Sequence, residues 1–385
     1  MVVNKYKIVF CAPALYSTGG VERVVSIKAN YFAKILDYDV TVIATEGIGK
    51  PSFFPLSERV RVINLGLDFE ELWHQPFYKK VFLYLKKQRL YKKYLTSELL
   101  RIRPDVTISV LRREINFITR IKDGSKKVGE LHVNRRNYRN FEAGDSNILK
   151  QLFAKLWMRN LIGHLKELDR MVVLTESEKK AWPELCNVSV IPDPLAIRPK
   201  DCSLLNRKRV ISVGRYAYQK GVDLLLQAWA KIEKNYPEWE LIYYGQGDKT
   251  PYVQQIKELG IDHSRCKLEG KTTDVMKELR DSSLFVLSSR FEGFGMVLAE
   301  AMACGLPVIS FDCKSGPGEI ISEGEDGYLV PAENVDGLAE RMSYMIANPE
   351  LRSRFGRNAF QNSSRFEIDG IAKQWVQLFD ELVNN

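Results

Sequence analysis

At 385 residues, 45% of them hydrophobic and 27% charged, the chain exceeds the size at which one core stops growing, so two domains are expected and a disordered chain is excluded. No apolar run reaches the roughly eighteen residues that would cross a bilayer, and M-V-V-N-K-Y-K-I-V-F-C-A-P lacks the long apolar core of a signal peptide, so a cytoplasmic or peripherally bound protein is expected. The formal charge of +9 is uneven, with 35 Lys and Arg against 21 Asp and Glu in residues 1–200 and 22 against 27 in the remainder.

Short apolar runs alternate with longer amphipathic ones from the start, the pattern of parallel α/β units. Strands are expected at Lys7 to Phe10, Val40 to Ala44, Val60 to Leu65, Val106 to Val110, Lys127 to Leu131, Met171 to Leu174 and Val188 to Ile191. Helices fall between them, for example Gly20 to Leu36 and Asn147 to Leu168. Gly19-Gly20 stands between the first strand and the first helix, where bare backbone can approach a phosphate. The run from Lys79 to Lys93 holds seven basic residues, Lys79, Lys80, Lys86, Lys87, Arg89, Lys92 and Lys93, and no acid. Aromatic and aliphatic residues interleave these charges, as on an amphipathic helix lying on an anionic membrane; a solvated helix face with snorkelling lysines is the alternative.

Three prolines between Ile191 and Lys208 mark a linker. The alternation then restarts, with strands expected at Arg209 to Val213, Glu240 to Tyr244, Lys267 to Glu269, Leu284 to Leu287 and Val308 to Phe311, and a last helix at Ile371 to Leu382. After the first of these comes G-R-Y-A-Y-Q-K-G, in which Arg215 offers forked donors to a phosphate and Lys220 a point charge. The Walker A spacing is absent. Gly245-x-Gly247 follows the next strand, where close backbone approach to a nucleotide is expected of the glycines.

The most informative stretch is R-F-E-G-F-G-M-V-L-A-E-A-M-A-C-G, from Arg290 to Gly305. A strand ending in Glu292, a loop through Gly293, Phe294 and Gly295, and a helix opening near Met296 and Val297 would aim unpaired amides at an anion. Glu292 would stand at the lip and Glu300 a turn inside the helix, so that two carboxylates reach the two ends of one extended ligand. The six cysteines are spaced as buried free thiols, and with four histidines and no Cys-x-x-Cys pair a structural metal is not expected.

This block resembles the E-x7-E motif of the retaining glycosyltransferases of family four, and the likeness extends through Gly19-Gly20, His132 in E-L-H-V-N, Gly214-Arg215 with Lys220, and S-G-P-G-E-I-I from Ser315. The resemblance implies an α/β GT-B fold of two Rossmann-like, doubly wound parallel-sheet domains facing a central cleft. Residues 1–195 would bind acceptor, residues 196–367 would bind the nucleotide sugar, and the helix in 368–385 would pack back on the first domain. It implies donor contacts from Gly19, Gly20, Arg215, Lys220, Gly245, the run Glu292, Gly293, Phe294, Gly295, Met296 and Val297, and Glu300 on the ribose hydroxyls. Glu292, Arg215, Lys220 and His132 would carry the chemistry, and Arg135, Arg136 and Arg139, just beyond His132, could hold an acceptor diphosphate. Asp37-Tyr38-Asp39 fits the D-x-D pattern of the other large glycosyltransferase fold, but it precedes a strand and reads as a turn.

The expected function is transfer of a hexose or N-acetylhexosamine, preferably from a UDP-sugar, to a glycan acceptor carried on polyprenyl diphosphate in capsule or lipopolysaccharide synthesis. The enzyme would need no metal or cofactor, act on the inner face of the cell membrane, and bind no nucleic acid. A same-fold epimerase, a soluble sugar transferase and a basic nucleic-acid-binding protein are the alternatives.

Overall fold

The computed structural model describes residues 5–138, 148–195 and 198–384. The chain divides into two compact units, Met1–Ala196 with Ile368–Asn385, and Ile197–Glu367.

The first unit is built on β1 (Lys7–Ala12), β2 (Asp39–Ala44), β3 (Val60–Asn64), β4 (Val106–Ser109), β5 (Lys126–Leu131), β6 (Arg170–Val173) and β7 (Val188–Val190). All pair in parallel, in the order β3-β2-β1-β4-β5-β6-β7. Because helices cover both faces, successive residues of the inner strands are buried on both sides rather than alternating between core and solvent. Ile8 and Phe10 enter one buried cluster, and Val9 and Cys11 the other. The helix Gly20–Lys34 lies on the first face beside the late helix Ile368–Val383, whose Ile371, Ala372, Trp375, Leu378, Phe379 and Leu382 form one buried stripe.

The second unit has β8 (Arg209–Val213), β9 (Glu240–Tyr244), β10 (Cys266–Glu269), β11 (Leu284–Leu287), β12 (Val308–Asp312) and β13 (Gly327–Pro331), parallel in the order β10-β9-β8-β11-β12-β13. The winding reverses between β8 and β11, and in open parallel sheets ligands bind beyond the carboxyl ends of the strands at that reversal. The expected strand ending in Glu292 stops at Leu287 instead. From Ser288 the backbone leaves the ladder and turns to the β8 loop, where the Ser288 hydroxyl donates to the Lys220 carbonyl at 3.0 Å and the Arg290 amide to that of Gln219 at 2.8 Å.

All six cysteines are free thiols; Cys11, Cys266, Cys304 and Cys313 are buried, whereas Cys186 and Cys202 are exposed, so burial holds for four of them. Asp37 has φ +57° in a turn and pairs with the exposed Lys5 and Arg59, the surface role expected of this D-x-D.

Candidate active site

The reversal in the second unit brings together two loops from opposite directions of winding. Lys220, in the loop after β8, places Nζ 2.6 Å from Glu292 Oε1, and the Ser289 hydroxyl donates to that same oxygen at 2.6 Å. Glu292 is buried rather than standing at a lip; its side chain is 6% exposed and that of Lys220 16%. A carboxylate this buried needs such donors. The two loops approach closely, because Gly221 has φ +57° and a Cβ there would lie 2.0 Å from the Ser288 carbonyl oxygen. Arg290 adds a clamp: its guanidinium forks onto Asp223 at 2.9 and 2.6 Å, reaches Glu333 at 2.9 Å, and stacks over Tyr218 at 4.0 Å.

Beyond Glu292 the chain turns through Gly295, at φ +100°, into the helix Met296–Ala303, in which Glu300 is buried. The S-G-P loop after β12 closes on this turn. Ser315 and Gly316 take φ of +69° and +101°, and a Cβ on Gly316 would lie 1.8 Å from the Phe294 carbonyl oxygen. Burial pushes the Cys313 thiol up to about 12, with the Glu292 charge adding to the effect.

Arg215 is exposed, with one contact to Gln219 at 3.1 Å, and so presents most of its donors outward. The glycines after β9 have a reason within the protein itself. A Cβ on Gly245 would lie 2.0 Å from the Gly214 carbonyl oxygen, and one on Gly247 2.8 Å from that of Tyr216. Their close backbone approach is therefore between the β8 and β9 loops.

In the first unit, Gly19 caps the helix Gly20–Lys34 without a side-chain bond, and nothing lies within 4 Å of a Cβ built on Gly20. His132 follows β5 with its side chain 6% exposed. Its Nδ1 lies 3.3 Å from Asp193 Oδ1 and its Nε2 3.5 Å from Glu130 Oε2. The other Glu130 oxygen meets Lys28, a fully buried lysine from the helix Gly20–Lys34, whose ammonium sits 4.3 Å from the Trp375 ring. Burial pushes the imidazole down, but Glu130 and Asp193 more than reverse this and hold it at about 9. Burial likewise pushes the Glu130 carboxyl up, and Lys28 and His132 bring it down to about 2. Glu130, His132 and Asp193 are also, among the described residues, a trio close enough to surround a cation. They do not suit one: the carboxylates face opposite nitrogens of the ring, only one of which can bind a given ion, and Lys28 already neutralises Glu130.

Arg135 is tied down, its guanidinium on Glu184 at 2.7 and 2.8 Å and on the Ala181 carbonyl at 2.6 Å, over the Trp182 ring. Arg136 is exposed, and Arg139 lies outside the described residues. The basic run forms the helix Phe77–Ile102, whose Tyr91, Leu95, Leu99 and Ile102 face the core. Its outer side exposes Tyr78, Phe82 and Leu85 together with Lys79, Lys86, Arg89, Lys92 and Lys93. Two of the seven basic residues are otherwise engaged: Lys87 bonds the Leu67 and Asp68 carbonyls at 2.5 and 2.7 Å, and Lys80 covers Trp73 at 4.4 Å.

The Lys220–Glu292 pair thus lies where nucleotide-binding α/β sheets place their sites. A family described as glycosyl transferases group 1 matches residues 196–362. An uncharacterized glycosyltransferase of Haemophilus influenzae is 30% identical over 375 residues, covering 96% of this chain and 98% of its own. The amylovoran biosynthesis glycosyltransferase AmsD of Erwinia amylovora is 27% identical over 386 residues, covering 97% and 100%. A crystal structure of TarM from S. aureus, in complex with UDP among other ligands, superposes with a TM-score of 0.76 at 17% identity, covering 98% of this chain and 100% of that one. The chain belongs to the group 1 glycosyltransferases, with the GT-B fold and the surface-polysaccharide type of relative.

Proposed function

We propose that the protein is a retaining, metal-independent hexosyltransferase that moves a hexose or N-acetylhexosamine from a UDP-sugar to a glycan acceptor on polyprenyl diphosphate. The observation that carries this reading is the Lys220–Glu292 pair at the point where the winding reverses, beside the open start of the helix Met296–Ala303. Lys220, the outward-facing Arg215 and the helix amides supply positive potential for a departing diphosphate, the part a metal ion plays elsewhere. Glu292 sits where a carboxylate can balance an electron-poor anomeric carbon, and Glu300 is the acceptor for the ribose hydroxyls. In the step itself the bond from the anomeric carbon to the diphosphate oxygen breaks, the acceptor oxygen bonds the same face, and its proton passes to the leaving phosphate. The UDP named with TarM favours a uridine donor.

The test is thermal unfolding with UDP, GDP and their sugars. UDP at one hundred times its Kd raises stability by about 2.7 kcal/mol, and Glu300→Ala removes that gain. No shift with any nucleotide at millimolar concentration would overturn the donor site, and an inverted anomeric configuration in the product would overturn retention.

The outer face of the helix Phe77–Ile102 fits a peripheral position on the inner face of the cell membrane; among the described residues no helix is long and apolar enough to cross one. Each exposed basic residue near an anionic bilayer adds about 1 kcal/mol of attraction, and Tyr78, Phe82 and Leu85 add apolar contact. Sedimentation with anionic vesicles is expected to capture the protein, and the triple change Tyr78→Ser, Phe82→Ser, Leu85→Ser to release it while circular dichroism stays unaltered. Equal sedimentation with neutral vesicles would contradict the electrostatic part.

A further inference from the structure

The first unit contains a line of four charged or ionisable side chains, Lys28, Glu130, His132 and Asp193, drawn from the helix Gly20–Lys34, from β5 and the residue past its end, and from the loop after β7. All four side chains are 6% exposed or less. The His132 contacts, at 3.3 and 3.5 Å, are ion-pair distances, and among the described residues nothing hydrogen-bonds the two ring nitrogens of His132, the Glu130 oxygen facing it, or Asp193 Oδ1. This geometry constrains the protons. A neutral imidazole carries a lone pair on one nitrogen. Either nitrogen, if bare, would point that lone pair at a carboxylate oxygen that has no other donor among the described residues, a repulsion that solvent screens poorly between side chains this buried.

We propose that Glu130, Asp193 and Lys28 are positioning residues that hold His132 doubly protonated and fixed in orientation, so that this histidine serves the reaction as a permanent cation and not as a base. The inference rests on the glycosyl-transfer reading above and on the part in the chemistry that the family resemblance gives His132. Glu130 and Asp193 each face one ring nitrogen at ion-pair distance, and Lys28 pairs with the other oxygen of Glu130, so the line alternates in sign along its length. Among the described residues the charged groups that bear on the ring are Glu130 from β5, Asp193 from the loop after β7, and Lys28 acting through Glu130 from its helix. With both nitrogens protonated, His132 has no lone pair with which to take a proton from an acceptor hydroxyl. That proton must go elsewhere, which suits transfer to the departing phosphate.

The experiment is nuclear magnetic resonance of protein labelled at histidine nitrogen, with no substrate present. The chain has only four histidines, and the His132 signals are those missing from His132→Gln. Both His132 nitrogens are expected to show the protonated form at about pH 7.5, with a midpoint near 9 in place of the ordinary 6.5. Glu130→Gln is expected to lower that midpoint by more than about one unit. A neutral tautomer at about pH 7.5 in the unaltered protein overturns the proposal, and that result stands even if Glu130→Gln fails to fold. The second readout is the pH profile of kcat. From about pH 6 to 8 it is expected to be flat in the parent, but to fall about tenfold or more in Glu130→Gln and in the uncharged pair Lys28→Met, Glu130→Gln. Profiles of identical shape would show a merely structural network and overturn the proposal. Because the resonance test needs neither donor nor acceptor, it separates failure of this inference from failure of the glycosyl-transfer reading.

Discussion

Lys220→Ala is expected to lower kcat for sugar transfer by about 10²–10³-fold, equivalent to roughly 2.7–4 kcal/mol of lost transition-state stabilisation. Its ammonium is held 2.6 Å from Glu292, with the loop around it fixed by Gly221 and the Ser288 hydroxyl, so the cation is in place before charge develops. An interaction that strengthens only as the diphosphate departs is lost from kcat and from kcat/KM alike, with KM for the donor little changed. The competing expectation is that Lys220 merely neutralises a buried carboxylate. In that case the variant would keep its kcat and lose only melting temperature, and steady-state kinetics beside thermal unfolding separates the two.

Lys28→Met is expected to cost about 3–5 kcal/mol of folding stability, since removing one partner of a buried pair strands the other. The pair is deeply enclosed: Lys28 is 0% exposed and Glu130 1%. The double variant Lys28→Met, Glu130→Gln is expected to recover much of that loss, which denaturant unfolding would show as a non-additive cycle. The same network sets a pH window. Glu130 is lowered from 4.5 to about 2 on folding, so its contribution is present above about 4.5 and is lost as pH falls through 2. His132 is raised from 6.5 to about 9, so its contribution is complete below about 6.5 and is lost as pH rises through 9. Stability from these two groups is therefore greatest between about 4.5 and 6.5, and urea midpoints measured across the range should show that plateau. An unaltered midpoint from about pH 6 to 10 would contradict the assignment to His132.

Much of this architecture could be read from periodicity. Arg209–Val213, Glu240–Tyr244 and Leu284–Leu287 carry enough apolar residues between turn signals to define both ends. The edge strand Gly327–Pro331 escaped that reading, since it pairs on one side only, is partly exposed and is bounded by Gly and Pro. The site was legible where it is local in sequence, as in the turn from Glu292 to Met296. It was not where pairing is distant. Lys28 and Glu130 are 102 positions apart, and a lysine on an amphipathic helix reads as a surface residue until its partner is seen. Asp193 lies in a stretch that reads as a linker, and Asp223 and Glu333, which surround Arg290, are 67 and 43 positions from it.

The placement of Trp375 over Lys28 bears on how the protein is made. The helix that carries it follows the whole second unit in the chain, yet it fills the core of the first. During synthesis the second unit has all its residues available while the first still lacks one wall. A nascent chain interrupted before Ile368 would hold a complete sheet of six strands and a sheet of seven whose buried ammonium keeps the Phe10 ring but lacks the nearer Trp375. Order of synthesis and order of completion are thus inverted, and a chain cut short would lose the unit made first rather than the one made last.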